Sequence, residues 1–118
     1  MNAPLANRQC KPCEGGVTPL PPSAAKRLLE DVPGWELADA TLIRKTVTCK
    51  DFLDAVNLIQ RIAPIAEAED HHPDLHLTRY RKLTIELSTH AIGGLSENDF
   101  ILAAKINELL GTSSPRSP

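Results

Sequence analysis

Lys82-Leu83-Thr84-Ile85-Glu86-Leu87-Ser88-Thr89-His90 alternates apolar and polar side chains for most of its length. On an extended chain Leu83, Ile85 and Leu87 face one way, and Thr84, Glu86, Ser88 and His90 the other. A strand with one apolar and one polar face needs a cover on one side only, as in an antiparallel sheet with helices on a single face. Gly93-Gly94 ends the run. Ser96 and Asp99 then form a capping box, with Leu95 and Phe100 placed as its hydrophobic staple. The helix they open runs to about Leu110. Leu102, Ile106, Leu109 and Leu110 form its apolar stripe, Ile101 flanks it, and Gly111 suits its C-terminal cap.

Upstream, the hydrophobic period changes several times. Leu75 to Thr78 reads as a short strand, and His71-His72-Pro73 as a loop, because a residue before proline avoids the helical region. A helix precedes it, with Phe52, Val56, Ile59, Ala63 and Ala66 at spacings of three and four. Thr48 and Asp51 fit a capping box for this helix, with Val47 and Phe52 as its staple. Pro64 should kink or break it. Trp35 to Leu37 and Thr41 to Thr48 read as two strands joined around Asp39-Ala40. Ser23 to Leu29 forms a short helix that Ser23 can cap. The order α-β-β-α-β-β-α predicts an α+β domain: a four-stranded antiparallel sheet with three helices packed on one face.

Residues 1–22 carry five prolines and Gly15-Gly16 and read as an irregular tail; 23–110 form the folded unit; 111–118 have the composition of a disordered end. At 118 residues the chain holds one domain. Its net charge of −2 offers no footprint for direct nucleic-acid binding. No apolar run reaches the roughly 18 residues of a membrane span, and Met1 to Gln9 lack a signal core, so a cytoplasmic protein is expected. Three cysteines without a secretion signal argue against a disulfide framework. Cys10 and Cys13 form a lone C-x-x-C with no second pair to complete a zinc site.

All four histidines lie between positions 71 and 90. Histidine titrates near neutrality, and grouped with carboxylates it suits proton transfer. His71 and His72 follow Glu67 closely, and on an extended segment their side chains point in opposite directions. The commoner role of any one histidine is structural. His71, His72, His76 and His90 with Glu67 could also hold a metal, but no H-E-x-x-H spacing occurs. Asp99 fits a helix cap, and a cap carboxylate can also orient a histidine. Tyr80 and Trp35 are core or interface candidates, although a flat heterocycle would stack on either.

Glu67, three residues, His71-His72-Pro73, six residues, Tyr80, nine residues, His90, eight residues and Asp99 resembles the signature of pterin-4a-carbinolamine dehydratases. The words E-L-S-T-H and G-L-S-E-N-D-F resemble that family too, and the likeness spans about 23–110. It implies a four-stranded antiparallel sheet with three helices on one face, and a homodimer or homotetramer. It also implies dehydration of 4a-hydroxytetrahydropterin to quinonoid dihydropterin without a metal or organic cofactor. On this resemblance His71 and His90 are the general acid/base pair, and His72 binds and polarises the pterin. Glu67 and Asp99 orient the imidazoles, and Asp70, Pro73, Ser88, Thr89 and Ala91 join the histidines around the substrate. Leu75-His76-Leu77 departs from the family's animal branch, which carries an aromatic there; Pro64 replaces a usual helix former; the cysteine-bearing tail resembles bacterial and plant-like members. The same resemblance leaves a rival open: a non-catalytic interaction protein, such as a Rubisco assembly factor or a transcription coactivator. Its protein partners would be a hydroxylase, Rubisco or a chaperonin.

Overall fold

A computed structural model describes residues 5–10 and 18–111. Its elements are a 3₁₀ turn (Leu5–Asn7), α1 (Pro22–Leu29), β1 (Glu36–Asp39), β2 (Leu42–Thr48), α2 (Phe52–Glu69), β3 (Asp74–Thr78), β4 (Lys82–Leu87), a second 3₁₀ turn (His90–Ile92) and α3 (Glu97–Leu110). The sheet is antiparallel in the order β1-β2-β4-β3. β4, whose alternation is the clearest in the chain, is therefore a central strand. Leu83, Ile85 and Leu87 are buried, as is Ile43 on the neighbouring β2. Three helices and this sheet form the expected α+β fold.

Several local details differ from expectation, each for a physical reason. α1 begins at Pro22, with Pro21 as its cap residue and no side-chain cap. Proline suits the first helical position because its missing N–H would be unpaired there anyway, so Ser23 lies inside the helix. Asp51, rather than Thr48, caps α2 by accepting from the Asp54 amide at 2.8 Å. α2 runs unbroken through Pro64. That proline sits on the exposed side of the helix, where water can serve the carbonyl it leaves unbonded.

The buried stripe of α2 is Ala55, Leu58, Ile62 and Ala66. Of the expected stripe only Ala66 is buried: Val56 and Ile59 are half-buried, and Phe52 and Ala63 are exposed. α2 carries two apolar stripes side by side, and periodicity alone could not tell which meets the sheet. The outer one leaves Phe52 56% and Leu53 67% exposed.

α3 is buried almost all round, from Asn98 to Ala104 and again at Ile106 and Asn107. It opens with the expected capping box of Ser96 and Asp99 and closes at Gly111 with φ +79°. The expected staple residues, Leu95 and Phe100, are both fully buried. Burial on so many sides has a source outside the sheet and α2. The 3₁₀ turn near the N-terminus packs on α3 through buried Leu5, and the Ala6 carbonyl accepts from Lys105 Nζ at 2.7 Å. Composition marks this segment as a tail, but an apolar side chain with a core to enter docks it. Cys13, Gly15-Gly16 and the 112–118 end lie outside the described residues.

Candidate functional site

The end of α2 delivers the histidine pair. Asp70 closes the helix in the left-handed region at φ +51°, a conformation that aspartate tolerates better than most residues. The chain turns there, and His71 and His72 leave in opposite senses. His71 is 12% exposed in its side chain, and its Nε2 lies 2.6 Å from Asp99 Oδ1. His72 is mostly exposed, with Nε2 2.5 Å from Glu67 Oε2.

Asp99 is fully buried, and its two oxygens are fully engaged. Oδ1 meets His71, while Oδ2 accepts from the Thr89 hydroxyl at 2.9 Å and the Ser96 amide at 3.0 Å. An ionised carboxylate only accepts, so His71 donates its Nε2–H and keeps Nδ1 as the open nitrogen. Thr89 spends its one proton on Asp99, so the Ser96 hydroxyl, 2.8 Å away, donates to Thr89. Every proton in this relay has a direction. The buried charge is offset by three donors and by the N-terminal end of α3. Asp99 is thus both a helix cap and the partner of a histidine.

His90 starts the 3₁₀ turn after β4 and is exposed. Thr89 bridges Gly94, which holds that turn against the start of α3. Between these pieces lies a hollow of about 550 Å³, within the usual range for small-molecule sites. Asp70, His71 and His72 line it from the end of α2, and Ser88, Thr89, His90 and Ala91 from the chain leaving β4. Of the residues expected around a substrate, only Pro73 is not on its wall. Glu67 and Asp99 stand behind the imidazoles they hold.

Four more wall residues had no signal in the local sequence: Cys10, Ala68, Glu69 and Asn98. The Cys10 amide donates to Glu69 Oε1 at 2.7 Å, and its thiol to the Asn98 carbonyl at 3.6 Å. Burial, reinforced by the Glu69 carboxylate, pushes the Cys10 thiol up to about 12. No motif links position 10 to position 69; only the fold does.

His76, Tyr80 and Trp35 stay outside. His76 lies on the outer face of the sheet, 3.1 Å from Glu86, which also pairs with Arg44 at 3.1 Å. Tyr80 is 61% exposed in the turn between β3 and β4, with the Arg81 guanidinium 5.9 Å above its ring. Trp35 is a core residue whose indole donates to buried Asn107 at 2.9 Å. Among the described residues no three of histidine, cysteine, aspartate and glutamate converge as metal ligands would. Among them, too, no helix is long and apolar enough to cross a membrane.

Fold and site together define an α+β protein with a hollow walled by three histidines, one of them held by a buried carboxylate. The family model described as pterin 4 alpha carbinolamine dehydratase matches residues 18–109. The chain belongs to that family. It is 48% identical over 107 residues to a putative pterin-4-alpha-carbinolamine dehydratase of Nitrosomonas eutropha, covering 90% of this chain and 93% of that one. It is 47% identical over 111 residues to pterin-4-alpha-carbinolamine dehydratase 2, mitochondrial, of Arabidopsis thaliana, covering 91% of this chain and 59% of the plant protein. A crystal structure of a transcriptional coactivator/pterin dehydratase from Brucella melitensis superposes with a TM-score of 0.71 at 29% identity. That match covers 78% of this chain and 98% of the other.

Proposed function

We propose that this protein is a hydro-lyase acting on 4a-hydroxytetrahydropterin, with quinonoid dihydropterin as the product. The observation that carries this reading is the His71–Asp99 pair on the wall of a hollow shared with His72 and His90. In the reaction the C4a–O bond breaks, N5 loses its proton, and a C4a–N5 double bond forms as water leaves. One imidazole must give a proton to the departing hydroxyl while another takes the N5 proton. His71 has the geometry of the base, because Asp99 accepts its Nε2–H and leaves the Nδ1 lone pair open. His90, exposed where the chain leaves β4, then serves as the acid, and His72 binds and polarises the ring. Glu67 orients His72. Paired acid/base groups of this kind contribute roughly 10²–10⁴-fold each. The fit is also one of size, since the hollow has room for a bicyclic ring.

The test is direct. Purified protein is added to chemically generated 4a-hydroxytetrahydropterin, and the quinonoid absorbance is followed. Acceleration that vanishes in His71→Ala and His90→Ala supports the reading; wild-type protein no faster than buffer overturns it.

The outer apolar stripe of α2, with Phe52 and Leu53 at its start, supports association with further copies of the chain. A second reading, a protein-binding role, draws on the Brucella relative being described as both coactivator and dehydratase. It needs the same stripe to meet a different protein.

A further inference from the structure

Residues 5–10 dock on the elements that carry the site, and Cys10 reaches the wall of the hollow. Leu5 is 7% exposed in the core. The Ala6 carbonyl accepts from Lys105 on α3, and Arg8 pairs with Glu97 at the start of α3. The Cys10 amide donates to Glu69 at the end of α2, and its thiol to the Asn98 carbonyl in the first turn of α3. Glu69 is itself only 13% exposed and lies 3.6 Å from Lys105. The Arg8 and Cys10 ties run to the two places from which the site is hung: the end of α2, which delivers His71, and the start of α3, which carries Asp99.

The chemistry of the wall shows what Cys10 can do there. A flat heterocycle needs soft apolar surface against its π face as well as proton donors at its edge. Among the described residues the wall has no phenylalanine, tyrosine or tryptophan, and apart from the imidazoles its side chains are polar or small. Among the described residues its apolar side chains are Cys10, Ala68 and Ala91, of which Cys10 is the largest and the most polarisable. The thiol is raised far above neutrality, so it stays an uncharged S–H, not a nucleophile. What remains is contact and shape.

We propose that Cys10, carried by the docked segment Leu5–Cys10, is a specificity-determining residue on the wall of the substrate site. Cys10 touches the ring of the bound pterin, and Glu69 is the positioning residue that latches it there. This rests on the dehydratase reading above and goes beyond it by assigning a role to a segment outside the signature. Sulfur–aromatic contact of ordinary strength corresponds to a roughly two- to tenfold change in binding. Cys10→Ser keeps the size and loses the softness; Cys10→Leu takes up room on the substrate's side. Both raise KM and leave kcat nearly unchanged, because neither meets the His71–Asp99 pair. Glu69→Ala raises KM in the same way. Glu69→Gln restores it, since a neutral amide oxygen still accepts from the Cys10 amide.

The experiment measures kcat and KM for these four variants, and in parallel the binding of an oxidised, unreactive pterin by quenching of its fluorescence. Circular dichroism checks folding. If Glu69→Ala does not fold, Cys10→Ser and Cys10→Leu decide alone. A rise in KM and in the dissociation constant, with kcat held, supports the inference. Wild-type protein that binds and dehydrates, with Cys10 variants that match it in KM, overturns this inference alone. A fall in kcat at constant KM also overturns it. Wild-type protein that neither binds nor dehydrates overturns the dehydratase reading and this inference together.

Discussion

Asp99→Asn changes one atom and should reverse the proton on His71. Two donors, the Ser96 amide and the Thr89 hydroxyl, converge on Oδ2. An asparagine has one oxygen, and the cap demands it there. Its NH₂ group must then face His71 Nε2, at the 2.6 Å separation where Oδ1 now accepts. A donor facing Nε2 forces that nitrogen to accept, so the imidazole's proton moves to Nδ1. The nitrogen left for the substrate becomes a donor when a base is needed. Loss of one acid/base group predicts a fall in kcat of roughly 10²–10⁴-fold. The cap survives, so the stability cost is that of one charge-assisted hydrogen bond and its buried charge, about 1–3 kcal/mol. Two measurements suffice: dehydration rates with a pterin carbinolamine, and ¹⁵N spectra that separate Nδ1–H from Nε2–H tautomers. Activity within about twofold of wild type, or an Nε2–H signal that persists in the variant, would refute the reasoning about this pair.

Other expectations follow from the same geometry. His90→Ala should abolish most activity yet leave the urea midpoint in place, because that side chain is exposed; a large loss of stability would contradict its position. His76→Ala should leave turnover unchanged, since His76 pairs with Glu86 on the outer sheet face; the rate assay checks this. Ile85→Ala empties a fully buried central position and should cost about 2–5 kcal/mol in urea unfolding. Leu53→Glu places a charge on the outer stripe of α2 and should shift gel-filtration behaviour toward smaller species without loss of helix content. Cys10 has a thiol raised from 9.0 to about 12 in the folded protein. Between those pH values the unfolded chain releases a proton that the native one keeps, so stability falls as pH rises. Cys10→Ser should remove that part of the decline, as thermal melts of both proteins from pH 8 to 11 will show.

Much of the architecture was legible because it rests on local physics. The alternation of β4 survives into the structure because the strand is central with one covered face. The Ser96–Asp99 box and Gly111 closed α3 as expected because caps depend on residues a few positions apart. α2 was harder. Its two apolar stripes are nearly equivalent in the sequence, and only the sheet decides that Ala55, Leu58, Ile62 and Ala66 turn inward. The pairing of His71 with Asp99 is similar: the Ser96 box and the signature together suggested that Asp99 could both cap α3 and orient a histidine, but only the fold decides that the histidine it meets is His71.

By itself the order of residues determined the α+β plan, the cap of α3 and the cluster of histidines between 71 and 90, since each depends on neighbours within a turn or a strand. Tertiary structure alone decided that His76 is left outside the hollow, that Tyr80 stands in solvent, and that Cys10 reaches Glu69 across 59 positions of chain. A contact across that distance depends on how helices and sheet stack, and its residue types look the same in a tail that docks as in one that does not.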